Sequence, residues 1–158
     1  MFSPRLRRRL AAGGVFAVAG WLALAWAAAY VFLHPRRRPL ERTPAALGLR
    51  YEEVAFRSVG DGLRLRGWFV PGEKRRGIVV LCHGYPGNRA DLLPQAAFLR
   101  RAGFGVLLFD FRALGRSEGD ICSIGWREVN DALGVVRYVG PQMNHLALRE
   151  NQRSGGPE

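Results

Sequence analysis

The sequence predicts an α/β fold: one transmembrane helix, then an incomplete open sheet built from an antiparallel hairpin and a parallel strand–helix–strand unit. Three observations carry that prediction. The 24 residues from Leu10 to Leu33 include no charge. Two strand-like runs, 51–58 and 63–70, flank Val59-Gly60-Asp61-Gly62, a strong turn signal. Two apolar runs, 78–82 (IVVLC) and 104–109 (FGVLLF), bracket a stretch with helical periodicity.

Residues 1–9 form a basic flank, and residues 10–33 are long enough to cross the hydrocarbon layer as a helix. The apolar stretch exceeds the core of a cleaved signal peptide, so an uncleaved single-pass anchor in the lipid bilayer is expected. Arg5, Arg7, Arg8 and Arg9 precede it, and Arg36, Arg37, Arg38 and Arg42 follow it. These clusters nearly balance under the positive-inside rule; the free amino terminus tips the N-terminus inward, placing the soluble part outside the cytoplasm. Residues 34–50, rich in Pro and Arg, read as a juxtamembrane linker.

Within the hairpin, Leu63, Leu65 and Phe69 alternate with Arg64, Arg66 and Trp68, the pattern of a strand with one face on a core. Pro71-Gly72 and the charged run 73–76 make a second turn. The run 78–82 has no polar alternation, as expected of a strand buried on both faces of a parallel sheet. Residues 90–102 predict a helix with Pro94 in its first turn, Asp91 at its start and Gly103 as its stop. Strand 104–109 completes a βαβ unit. Residues 126–139 predict an amphipathic helix, with Trp126, Val129, Leu133, Val136 and Val139 at three- and four-residue steps. The partial α/β domain thus spans 51–139, and residues 140–158 read as a disordered tail.

The formal charge of +11 invites a nucleic-acid reading. Residues 1–42, however, hold eight Arg against one Glu, net +7, and residues 43–158 only +4. The positive charge therefore sits beside the apolar segment, where it serves topology and headgroups, and no nucleic-acid partner is expected. Cys82 and Cys122 make no disulfide framework. His34, His83 and His145 are scattered without metal-ligand spacing, so no metal and no cofactor is expected.

Two loops lie where strands of an open α/β sheet end, the place where ligands bind. The first is His83-Gly84-Tyr85-Pro86-Gly87-Asn88 and the second is Asp110-Phe111-Arg112-Ala113-Leu114-Gly115-Arg116-Ser117. The first resembles the H-G-x-x-x-N segment of α/β hydrolases, and the second their D-x-R-G-x-G-x-S loop with Ala113 in place of the first glycine. The resemblance covers residues 47–139 and is to N-terminally anchored serine hydrolases of esterase or serine-aminopeptidase type. It implies hydrolysis of a small ester or amide substrate through a serine nucleophile. It also implies that Tyr85 supplies a backbone N–H to an oxyanion hole, with His83 and Gly84 shaping the turn. Such a fixed donor stabilises the charge that acyl transfer builds on a carbonyl oxygen. Asp110, Arg112, Gly115 and Ser117 would be structural members of the second loop.

The nucleophile, acid and base of that family are not identifiable in this chain. Gly115-Arg116-Ser117-Glu118-Gly119 matches G-x-S-x-G, but a nucleophile elbow runs directly from strand into helix. Here four residues separate Gly115 from the strand end, and the next helix waits until Trp126, so Ser117 is a false match. The expectation is a hydrolase sheet truncated or frame-shifted before its elbow, inactive as written, with its last strand left as an open apolar edge. Two alternatives are a non-catalytic membrane-anchored module and a dinucleotide-binding half-domain. The latter is disfavoured because Gly84-Tyr85-Pro86-Gly87 lacks G-x-G-x-x-G spacing and Pro86 removes a donor.

Overall fold

The computed structural model describes residues 4–73 and 76–154, and the chain divides into two units, Met1–His34 and Pro35–Glu158. The first unit is helix α1, Pro4–Leu33. It begins inside the basic flank rather than at residue 10, with Pro4 in the first turn, where a missing N–H costs nothing. Its Gly13–Leu33 portion is long and apolar enough to cross a membrane. Trp26, Tyr30 and His34 stack in sequence at its end, with ring centroids 5.5 and 4.0 Å apart. The backbone N–H of His34 donates to the Tyr30 carbonyl at 3.0 Å and closes the last turn.

The second unit is a four-stranded mixed sheet. Strands β1 (Glu52–Arg57) and β2 (Arg64–Val70) form the antiparallel hairpin; β3 (Ile78–Cys82) and β4 (Gly105–Phe109) are parallel. The order is β1-β2-β4-β3, with β2 and β4 antiparallel. Between β3 and β4 the chain makes a 3₁₀ turn, Arg89–Leu92, and helix α2, Leu93–Arg101. Pro94 sits in the first turn of α2, and Gly103 adopts φ +89° as the chain leaves it. Helix α3 spans Glu128–Ser154.

Two cores sandwich the sheet. On one face Val54, Phe56, Leu65, Leu107 and Phe109 pack against Val135 and Val139 of α3. On the other, Trp68, Val70, Val106 and Leu108 pack against Leu93 and Ala96 of α2. The period of two along β2 and β4 sends alternate residues to opposite cores. Helix α3 lies close to the hairpin because Gly134 has no side chain; a Cβ there would meet the Arg57 carbonyl oxygen at 2.4 Å.

Four expectations are corrected. Trp68 does not share a solvent-facing side with Arg64 and Arg66; it is fully buried, because β2 is an interior strand covered on both faces. The strand left open is β3, not the last strand. β4 lies between β2 and β3 with every residue buried, whereas Ile78, Val79, Val80 and Leu81 are half-exposed. The 34–50 segment is not a free linker: it forms a 3₁₀ turn over Pro44–Leu47, buries Pro44, and packs Leu40 and Leu49 on the Trp68 core. Finally, α3 continues through Pro141 to Ser154, so the segment read as a structureless tail is helical that far. Its Leu, Ala, Arg, Glu and Gln residues are strong helix formers, and residues 155–158 lie outside the described part.

Candidate active site

Because β3 and β4 are parallel and in register at Cys82 and Phe109, the residues that follow them emerge side by side. His83 and Asp110 are those residues. Both are buried, His83 at 5 % exposure and Asp110 at 0 %. The His83 Nε2 accepts the Phe111 backbone N–H at 3.2 Å, and its Nδ1 lies 3.0 Å from the Gly84 carbonyl oxygen. An accepting Nε2 requires the proton on Nδ1, which then donates to Gly84, so the ring serves as a neutral brace between the two loops. The ring also meets Phe111 edge-on at 5.4 Å.

The first loop closes through the Gly87 N–H donating to the Gly84 carbonyl at 2.8 Å, and the Tyr85–Pro86 peptide between them is cis. Gly84, Tyr85 and Pro86 are all exposed at this turn. Asn88 then caps the 3₁₀ turn: its Oδ1 accepts the Ala90 N–H at 3.0 Å, and Asp91 accepts the Asn88 N–H at 3.2 Å. Asp91 thus sits inside a capping box whose cap is Asn88, a pairing visible in the sequence as Asn-x-x-Asp.

Asp110 organises both loops. Its Oδ1 accepts the Arg89 N–H at 2.8 Å and its Oδ2 accepts the Arg116 N–H at 2.9 Å. Gly115 is required beside it, since a Cβ at that position would lie 2.2 Å from the Asp110 carboxylate. Ala113, standing where the motif has glycine, keeps the left-handed conformation at φ +60° that the loop demands. It bears the strain that an L side chain carries there.

Ser117 is 1 % exposed, and its hydroxyl is fully used. Oγ donates to the Asp110 carbonyl at 2.5 Å and accepts the Arg66 N–H at 2.9 Å, fastening the loop to β2. A hydroxyl committed in this way and closed to solvent has no geometry for attack on a carbonyl.

Arg112 points away from this edge, toward the hairpin turn. Its guanidinium bonds Asp131 Oδ1 at 2.7 Å, Asp61 Oδ2 at 2.7 Å and Ser58 Oγ at 2.9 Å. Burial alone would lower its pKa, but the hydrogen bonds it donates to Asp131 and Asp61, with their charge, outweigh that and raise it. Asp61 is shifted below the usual carboxylate range: desolvation opposes the shift, and the Arg112 bond and charge overcome it. Glu128 is likewise lowered, because the Ser123 and Gly125 N–H groups and the Ser123 hydroxyl outweigh its burial.

Two arginines escaped the sequence reading. Arg89 is fully buried, with its guanidinium 4.3 Å over the Trp68 ring. Its Nε lies 3.8 Å from Asp110, and burial holds its pKa below the ordinary value. Arg37, assigned to the juxtamembrane charge, donates to the carbonyl oxygens of Gly115, Ser117 and Gly119. Beside it, the Arg38 and Pro39 carbonyls each accept from Asn88 Nδ2 at 3.2 Å. The strap 37–39 therefore ties both loops together. No local signal distinguishes a strap arginine from a headgroup arginine in such a run. Among the described residues, no group of three or more His, Cys, Asp or Glu side chains could hold a metal.

No family model matches the chain. The uncharacterized protein YfhR of Escherichia coli strain K12 is 33 % identical over 100 residues, 58 % of this chain and 35 % of that protein. The thiohydrolase aneE of Aspergillus aculeatus is 43 % identical over 70 residues, 44 % of this chain and 22 % of its own. Among solved structures, the esterase Pf2001 of Pyrococcus furiosus superposes with a TM-score of 0.66 at 30 % identity, covering 74 % of this chain and 45 % of that one. The α/β hydrolase of Novosphingobium aromaticivorans, at 24 % identity and a TM-score of 0.50, shares the fold over 58 % of this chain and 33 % of its own. The sheet and its helices thus have a fold like that of these α/β hydrolases. The chain spans about a third of the length of YfhR and under half that of the esterase.

Proposed function

We propose that this chain is the oxyanion-side part of a membrane-anchored serine hydrolase of ester-type or amide bonds, and that by itself it does not turn over substrate. The loop pair carries the reading. Two loops that match the hydrolase motifs stand at the carboxyl ends of adjacent parallel strands, locked together through His83–Phe111 and Arg89–Asp110. In this reading Tyr85 offers its N–H to a developing oxyanion, and His83 and Gly84 hold the turn. Asp110, Arg112, Gly115 and Ser117 are scaffold. The nucleophile belongs to a strand paired on the half-exposed edge of β3, which offers the unsatisfied N–H and C=O groups such a strand would need. Helix α1 is the single-pass anchor, with the second unit outside the cytoplasm.

Support for the hydrolase class comes from the esterase and thiohydrolase likenesses. The reading of no turnover is supported by the buried Ser117, whose hydroxyl is held by the Asp110 carbonyl and the Arg66 N–H. The test is a fluorophosphonate probe applied to the purified full chain, with adduct mapping by mass spectrometry and ester hydrolysis followed in parallel. The expected result is no serine adduct and hydrolysis at the buffer rate. An adduct on Ser117 with a matching burst of product would overturn the reading.

A further inference from the structure

In the second unit, a group of exposed apolar side chains lies at the start of α3, outside both cores. Trp126 is 87 % exposed, and Val129, Leu133 and Val136 on α3, with Ile124 just before it, are 48–61 % exposed. Val129, Leu133 and Val136, at four- and three-residue steps, form one stripe along α3, and Ile124 and Trp126 lie in the turn that leads into it. The helix's core face is a different set, Val135 and Val139, together with the buried Glu128 and Asp131. Exposed apolar side chains grouped on one face and rimmed by polar residues mark an interaction site.

The charges around the stripe decide its partner. The two carboxylates in the first turn of α3 face inward: Glu128 accepts from Ser123 and Gly125, and Asp131 holds Arg112, whereas Asp120, four residues before Ile124, is exposed. The exposed charged side chains between residues 126 and 141 are Arg127, in the turn before α3, and Arg137, on the helix. An outward face that is apolar and cationic, with a tryptophan on it, has the composition of a helix lying in an anionic lipid interface.

We propose that the Ile124–Trp126–Val129–Leu133–Val136 stripe docks on an anionic bilayer surface. The inference rests on the reading of α1 as a membrane span only for the nearness of that surface, and the two are tested separately. The full chain is reconstituted in phosphatidylcholine vesicles with and without phosphatidylglycerol, using lipids brominated on their acyl chains. In a Trp21→Phe, Trp26→Phe chain the remaining emitters are the buried Trp68 and Trp126. Docking predicts loss of most of the Trp126 emission with phosphatidylglycerol, and recovery in an Arg127→Glu, Arg137→Glu variant or in Leu133→Asp. The companion Trp126→Phe chain reads Trp21 and Trp26, which report α1 insertion.

Quenching of Trp21 and Trp26 while Trp126 stays open to aqueous acrylamide overturns the docking and leaves the anchor. Quenching of Trp126 without that of Trp21 and Trp26 leaves the docking and removes the anchor; quenching of neither removes both. A Trp126 shielded from both quenchers in a chain that sediments as a dimer overturns the proposal in favour of a second copy.

Discussion

The interaction most exposed to a decisive experiment is the buried pair of Arg112 and Asp131. The Arg112 side chain is 2 % exposed and that of Asp131 is fully buried, with 2.7 Å between Nη2 and Oδ1. Asp131 also accepts the Arg112 backbone N–H at 3.0 Å, so one carboxylate joins α3 to both the main chain and the side chain of the β4 loop. Asp131→Asn keeps the shape and removes the charge. The guanidinium is then left buried with only the partly exposed Asp61 as counter-ion. Removing one partner of a buried pair costs about 3–5 kcal/mol. For a unit of this size, that is a drop of roughly 10–20 °C in thermal midpoint. The assay is thermal unfolding of the full chain in detergent, followed by near-ultraviolet circular dichroism. A midpoint lowered by less than about 3 °C would refute the reasoning, because the pair would then be holding nothing together. The double variant Arg112→Met, Asp131→Leu is expected to melt above either charge-removing single variant, since it leaves neither charge stranded.

Two further outcomes follow from the same geometry. Ser117→Ala leaves the Asp110 carbonyl and the Arg66 N–H without their shared partner, and should lower stability by about 2 kcal/mol in urea titration while changing no probe labelling. The depressed carboxyls of Asp61 and Glu128 set an acid limit. A folded-state pKa below the unfolded one means that the stabilisation is present above the unfolded value and lost as pH falls through the folded one. Thermal midpoints should therefore fall on acidification below about pH 4, and Glu128→Gln should flatten part of that slope.

Much of this protein is local, and what is local was legible in the sequence. The 24 uncharged residues predict α1, the Val-Gly-Asp-Gly turn predicts the hairpin, and two apolar runs around a periodic stretch predict the β3–α2–β4 unit. The loop motifs placed His83 and Asp110 at neighbouring strand ends because parallel pairing leaves no other place for them. Helix and turn signals of this kind act over a few residues, and no distant partner overrides them here.

What depends on strand order could not be read in the same way. A period-two pattern says which residues share a face, not whether the other face is covered. Trp68 therefore looked solvent-facing until β4 was seen to insert between β2 and β3 and α2 to cover that side. The same insertion made β3, not β4, the open edge. Arg37, Arg89 and Ser117 are the sharper case. Each is a polar residue that sequence places at a surface or a motif, and each is held by carbonyls, N–H groups or a ring contributed from 21 to 82 residues away in the chain. Which polar groups find partners is decided by packing, because a donor is satisfied by whatever acceptor the fold brings within reach.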